Sequence, residues 1–166
     1  MRMRAWRRGS IWLLSAVALL VGACGGGGGS GTPASTSSAQ TSSAPAYSVK
    51  LATKTVDGKS QAILVDAKGM TLYYFTPDKG GTVTCTAACL QNWPPLLLPS
   101  GVSSPSADKG VTGKLGTVPN PQGGTQVTYN AWPLYYYAKD KDAGDVYGQG
   151  VGGKWFVVPP DLASSV

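Results

Sequence analysis

Shifting the chain by 62 residues lays one stretch of its C-terminal part on another without a gap. Val65 meets Val127, Leu72-Tyr73-Tyr74 meets Leu134-Tyr135-Tyr136, Phe75 meets Tyr137, Asp78-Lys79 meets Asp140-Lys141, and Trp93 meets Trp155. Seven of the 34 pairs over residues 63–96 are identical, and they fall on aromatic and turn positions. A period of this kind marks one supersecondary unit used twice. Each copy, about 62–96 and 124–158, reads as a β-hairpin. In the first, Ala62 to Asp66 turns through Ala67-Lys68-Gly69 and returns as Met70 to Phe75. In the second, Gln126 to Tyr129 turns through Asn130-Ala131-Trp132-Pro133 and returns as Leu134 to Ala138. Further strands are expected at 48–53 and at 154–158, and the best short turn of helix runs from Thr86 to Gln91. The 23 glycines and 12 prolines, with abundant Tyr and Val, fit the same class. The expected fold is mainly β, a small antiparallel domain of two pseudo-repeated hairpin units related by a pseudo-twofold axis.

Alternation along a strand puts Tyr73 and Phe75 on one face and Leu72 and Tyr74 on the other, so both faces carry large rings. Either both faces are packed, with the hydroxyls bonded at the rim, or one is left open as an aromatic platform for a sugar or aromatic ligand. Asp78 and Asp140, one per copy, invite comparison with a carboxylate dyad. Each directly follows a strand, however, where an Asp commonly caps a turn by accepting backbone hydrogens. Asp140, Asp142 and Asp145 are clustered oxygen ligands of the kind Ca²⁺ takes, but the spacing is not that of the twelve-residue calcium loop and no Glu follows. No metal site is therefore assigned.

Export bounds the chemistry further. Arg2, Arg4, Arg7 and Arg8 precede an apolar run from Ile11 to Val21, which is the layout of a cleaved signal peptide and too short to cross a bilayer. The run ends at Leu20-Val21-Gly22-Ala23-Cys24, which resembles the lipobox of bacterial lipoproteins, so residues 1–23 are expected to be removed and Cys24 to carry several acyl chains, palmitate among them. Residues 24–46 then form a Gly/Ser/Thr/Ala/Pro tether, spanning about 25 Å on average and near 75 Å at full stretch. The folded domain is expected over 47–161, with 162–166 as a tail. After residue 23 the chain has ten Lys against eight Asp and no Glu, His or Arg. That composition excludes His-dependent nucleophilic catalysis and His-based metal sites, and it offers no basic cluster for nucleic acid. Cys85 and Cys89 remain after Cys24, and an exported chain makes a disulfide the default for them. The rival reading is a redox-active pair, although such pairs usually have two intervening residues.

With these residues in view, the chain resembles the bacterial secreted repeat of unknown function, a family of lipoproteins with a Tyr-x-(Phe/Trp/Tyr)-x-x-Asp motif. The matches are Tyr73, Phe75 and Asp78 in one copy and Tyr135, Tyr137 and Asp140 in the other, with Trp93 and Trp155 downstream and Gly148-Gln149-Gly150 before the second Trp. The chain departs at Ala131-Trp132, where the family often has Gly followed by His or another polar residue. The resemblance implies a surface location and a duplicated β module. The function expected is a lipid-anchored, non-enzymatic binding module on the extracytoplasmic face of the cell membrane, without catalytic residues or a cofactor. Its expected partners are the membrane, through the lipid on Cys24, and a cell-wall polymer, a small ligand or another protein. The alternative is an accessory protein of redox or electron transfer in the envelope.

Overall fold

The computed structural model describes residues 48–166, all within one compact unit. The stretch expected to be a signal peptide, Cys24 with its expected acylation, the expected tether and Tyr47 lie outside the described residues. Strands β1 (Lys50–Val56) and β2 (Lys59–Val65) form an antiparallel hairpin closed by Asp57 and Gly58, both at positive φ (50° and 75°). Positive φ at both central residues is what a tight turn between twisted strands demands, and Asp-Gly supplies it at little cost. This hairpin is an addition to the sequence reading, which has a strand over 48–53 but does not pair it. The Tyr-rich strand β3 (Tyr73–Phe75) comes next, then a 3-10 turn at Thr76–Asp78 and the short helix α1 (Ala88–Asn92). Before the second copy comes β4 (Leu115–Pro119), which joins β5 (Thr125–Tyr129) and β6 (Trp132–Pro133) of that copy in a three-stranded sheet, and β7 (Trp155–Val157) ends the series.

The copies interlock rather than sit side by side. β3 of the first copy pairs with β7 of the second, Tyr73 opposite Val157 and Phe75 opposite Trp155. The counterpart pairing joins Tyr135 to Pro95. Thr76 N donates to Lys154 O at 2.9 Å, and its equivalent 62 residues on, Ala138 N, donates to Asn92 O at 2.8 Å. On the axis itself, Tyr73 and Tyr135 exchange both backbone hydrogen bonds, each at 2.9 Å. The pseudo-twofold axis therefore passes between these two tyrosines.

Upstream of the axis the shift of 62 fails by one. Leu72 N donates to Leu64 O and Leu134 N to Val127 O, while Leu64 N and Val127 N reach Val158 O and Leu96 O. Leu64, not Val65, is thus the counterpart of Val127. The cause is turn length. Asp66–Met70 closes the first hairpin through bonds from Gly69 N to Asp66 O and from Lys68 N and Met70 N to the Asp66 carboxylate. The second closes in two residues, Asn130 and Ala131, at φ 48° and 67°. Trp132 and Pro133, read from sequence as part of that turn, already pair with Tyr129 and Thr128.

Alternation fills two cores. Ile63, Val65, Tyr73, Cys85, Trp93, Tyr135, Tyr137 and Trp155 build one, and Leu64, Leu72, Leu96, Val127, Tyr129, Leu134 and Val158 build the other. Both faces of the Tyr-rich strands are covered, so the open-platform reading gives way to the packed one. Tyr74 and Tyr136 are half-buried against the second core, and Tyr136 OH donates to Asp66 at 3.1 Å. The last residues are not a free tail. Tyr129 OH, Asn130 Nδ2 and Trp132 Nε1 donate to the carbonyls of Pro160, Leu162 and Ala163, and Ser165 N donates to Asn130 O. Leu162 packs on the second core.

Candidate functional site

The residues singled out from the doubled motif converge on the pseudo-twofold axis. Phe75, Trp155, Trp93 and Tyr137 form one continuous stack, with centroid separations of 4.1, 3.8 and 4.3 Å in that order. The two indoles are within 2° of parallel. Equivalent rings lie at equivalent places: the Phe of one copy covers the Trp of the other at one end, and the Tyr of the second copy covers the Trp of the first at the other end. Tyr73 meets Trp93 edge-on at 5.5 Å, and Tyr135 meets Trp155 edge-on at 5.1 Å, both favourable geometries for ring quadrupoles.

Strand β3 runs directly into its 3-10 turn, and that sharp change of direction turns Asp78 inward, where it is fully buried. Its carboxylate accepts from Thr84 N at 2.8 Å, from Thr84 Oγ1 and, at 2.6 Å, from Tyr135 OH of the other copy. Asp140 repeats the arrangement, accepting from Tyr147 N at 3.1 Å and from Tyr73 OH at 2.7 Å. Each Asp does cap the loop that follows its strand, and each also anchors the tyrosine of the opposite copy. What sequence reasoning missed is the crossed pairing of Tyr73 with Asp140 and of Tyr135 with Asp78, together with the parts played by Thr84, Tyr147 and Gly148. Gly148 N donates to Tyr73 OH at 3.2 Å, and a Cβ there would stand 2.7 Å from the Tyr73 ring and 3.0 Å from Trp93, so only glycine fits. Its sequence signal was the Gly-Gln-Gly stretch. A buried amide pair was also missed: Asn120 Nδ2 donates to Gln126 Oε1, and Gln126 Nε2 to Leu134 O.

Burial sets the electrostatics of the crossed pairs. It raises both carboxyls above the ordinary value of 3.8, against the pull of the hydrogen bonds from Thr84 and Tyr135 on Asp78, and from Tyr73 and Tyr147 on Asp140. Burial, reinforced by the neighbouring carboxylates, also holds the phenols of Tyr73 and Tyr135 well above 10.0. A proton-binding group raised on folding stabilises the fold below its unfolded value and loses that contribution as pH climbs toward its folded one. The carboxyls therefore favour the fold more at acid pH than at neutral pH. The tyrosines lose their contribution above pH 10.0, by about 1.4 kcal/mol per pH unit each, because only the unfolded chain releases their protons. Urea unfolding across alkaline pH should show this decline, and Tyr73→Phe with Tyr135→Phe should flatten it. An equally steep decline in that variant would refute the assignment.

The remaining candidates are placed apart from the axis or closed off. Asp145 accepts from Lys141 N and Asp142 N in a local turn, while Asp140 faces inward. Among the described residues no cluster of Asp or Cys side chains is placed to hold a metal ion. Cys85 and Cys89 are joined as a disulfide, with Cys85 in the first core. An open cleft of about 500 Å³ lies between β4 and the Asn130 turn, lined among others by Lys114, Thr117, Thr128, Asn130 and Ala131.

The model of a secreted repeat of unknown function matches residues 54–97 and 116–159, two segments again 62 apart. The chain belongs to that family. Each match spans the end or the whole of a hairpin, the Tyr motif, the Asp and the Trp, so the interlocked aromatic and Tyr–Asp contacts are built entirely within the secreted repeat. Membership in a secreted family is consistent with the extracytoplasmic position expected from the leader. No curated protein and no solved structure matches the chain.

Proposed function

We propose that this secreted repeat protein is a lipid-anchored, non-enzymatic binding module of the cell envelope, held through Cys24 on the extracytoplasmic face of the membrane. The observation that supports it is the commitment of the doubled motif. Both Asp carboxylates and both motif Tyr hydroxyls are engaged with the opposite copy, so the motif makes a rigid platform and leaves recognition to the surface around it. The cleft beside Asn130 offers the Lys114 amine and the exposed Thr117 hydroxyl at a concave surface, groups suited to a hydroxylated ligand such as a cell-wall polymer.

Two measurements test the reading on the full-length protein. Metabolic labelling with a fatty-acid analogue should mark the parent in the membrane fraction and leave Cys24→Ser unlabelled, either uncleaved or released; label on the mutant would refute the anchor. Co-sedimentation with isolated wall polymer should weaken in Thr117→Trp, which places a large ring in the cleft from an exposed position. Retention equal to the parent would remove the cleft from the binding surface.

A further inference from the structure

Joining the two copies into a rigid platform uses the hydrogen bonds and the packing of the axial cluster but not its redox chemistry. Two stacked indoles lie at its centre, and each is touched edge-on by a tyrosine whose hydroxyl sits 2.6 or 2.7 Å from a carboxylate oxygen. We infer that the cluster is a one-electron relay. It yields an electron to an oxidising radical or an oxidised metal complex at the domain surface and holds the oxidation as a tyrosyl radical on Tyr73 or Tyr135.

Indole and phenol are the most readily oxidised rings in the chain, and the half-buried Phe75 marks where the stack approaches solvent. The oxidant gains one electron from the Trp93–Trp155 pair, leaving an indole radical cation shared by two parallel rings. That cation takes one electron from Tyr73 or Tyr135 across the edge-on contact. In the same step the phenolic proton moves along the existing hydrogen bond to Asp140 Oδ2 or Asp78 Oδ2. The products are a neutral tyrosyl radical, a neutral carboxylic acid beside it and a restored indole. An external one-electron donor reverses the step, with the proton returning to the phenol.

A buried phenol cannot be oxidised easily unless its proton has somewhere to go, and a positioned acceptor within hydrogen-bond reach provides it without admitting water. Burial raises both carboxyls above their usual range, which makes them better proton acceptors. The duplication gives the relay two equivalent resting places for the radical, one on either side of the indole pair.

The test uses the full-length protein in detergent carrying Tyr147→Phe, which removes the most exposed phenol of the described domain (67% exposed). Flash oxidation by photogenerated tris(bipyridine)ruthenium(III) is followed by transient absorption and freeze-quench electron paramagnetic resonance. A neutral tyrosyl radical should form after the indole radical, and more slowly in deuterated water. Adding Tyr73→Phe and Tyr135→Phe should lower its yield about tenfold or more and prolong the indole radical. Asp78→Asn with Asp140→Asn, which keeps every ring, should slow its formation to a similar degree. The relay is overturned if tyrosyl yield and rate are unchanged in these variants, or if deuteration has no effect. Should the double Phe variant fail to fold, the Asn pair and the isotope effect decide alone.

Discussion

Replacing Trp93 with Ala should cost about 3–5 kcal/mol, enough to unfold much of the population of a domain whose total stability is on the order of 5–15 kcal/mol. The ring is 5% exposed and is held between Trp155 on one face and Tyr137 on the other, with Tyr73 at its edge. Truncation removes all three contacts and opens a cavity beside Gly148, which has no side chain to fill it. The pseudo-twofold axis makes a second, linked expectation: Trp155→Ala should cost a similar amount, since Phe75, Trp93 and Tyr135 surround it in the same way. Because the two indoles touch, the double mutant should lose less than the sum of the single losses. Chemical denaturation measures all three, and a loss below about 1 kcal/mol for either single variant would contradict the buried stack.

Asp78→Ala should cost about 2–4 kcal/mol, because three donors lose their acceptor at a site from which water is excluded. Asp140→Ala should cost somewhat less, since only Tyr73 OH and Tyr147 N are stranded and the site is 7% exposed. The Asn variants separate hydrogen bonding from charge. An Asn amide oxygen can still accept from Thr84, and its NH₂ can donate to the Tyr135 oxygen, so Asp78→Asn should lose about 1 kcal/mol. Thermal and urea unfolding of the four variants should rank them Asp78→Ala, Asp140→Ala, then the two Asn forms. If Asn and Ala cost the same, the hydrogen bonds to the two carboxylates would not be the source of the loss.

The local half of this arrangement was legible in the chain. Alternation assigns Tyr73 and Phe75 to one face and Leu72 to the other, the position after the strand makes each Asp a cap, and the shift of 62 brings equivalent residues into view. What alternation cannot say is which rings meet across an axis. Tyr135 reaches Asp78 over 57 residues and Tyr73 reaches Asp140 over 67, and strand periodicity carries no information at that range. The Asp57-Gly58 hairpin was signalled by its dipeptide, flanked by the residues of β1 and β2. The one-residue offset was hidden because Val65 and Val127 are identical, while the hydrogen bonds equate Leu64 with Val127. Docking of the last residues was hidden as well, since Pro159-Pro160 ends a strand without showing that Asn130 and Trp132 hold the carbonyls of Leu162 and Ala163.

Double-mutant cycles at the four motif residues test the crossed arrangement most directly. Tyr135→Phe combined with Asp78→Ala, and Tyr73→Phe combined with Asp140→Ala, should each show a coupling free energy of about 0.5–3 kcal/mol. The same-copy combinations, Tyr73 with Asp78 and Tyr135 with Asp140, should be additive within about 0.5 kcal/mol, because those pairs share no hydrogen bond. Coupling confined to the same-copy pairs, with additivity across the axis, would contradict the interlocked fold.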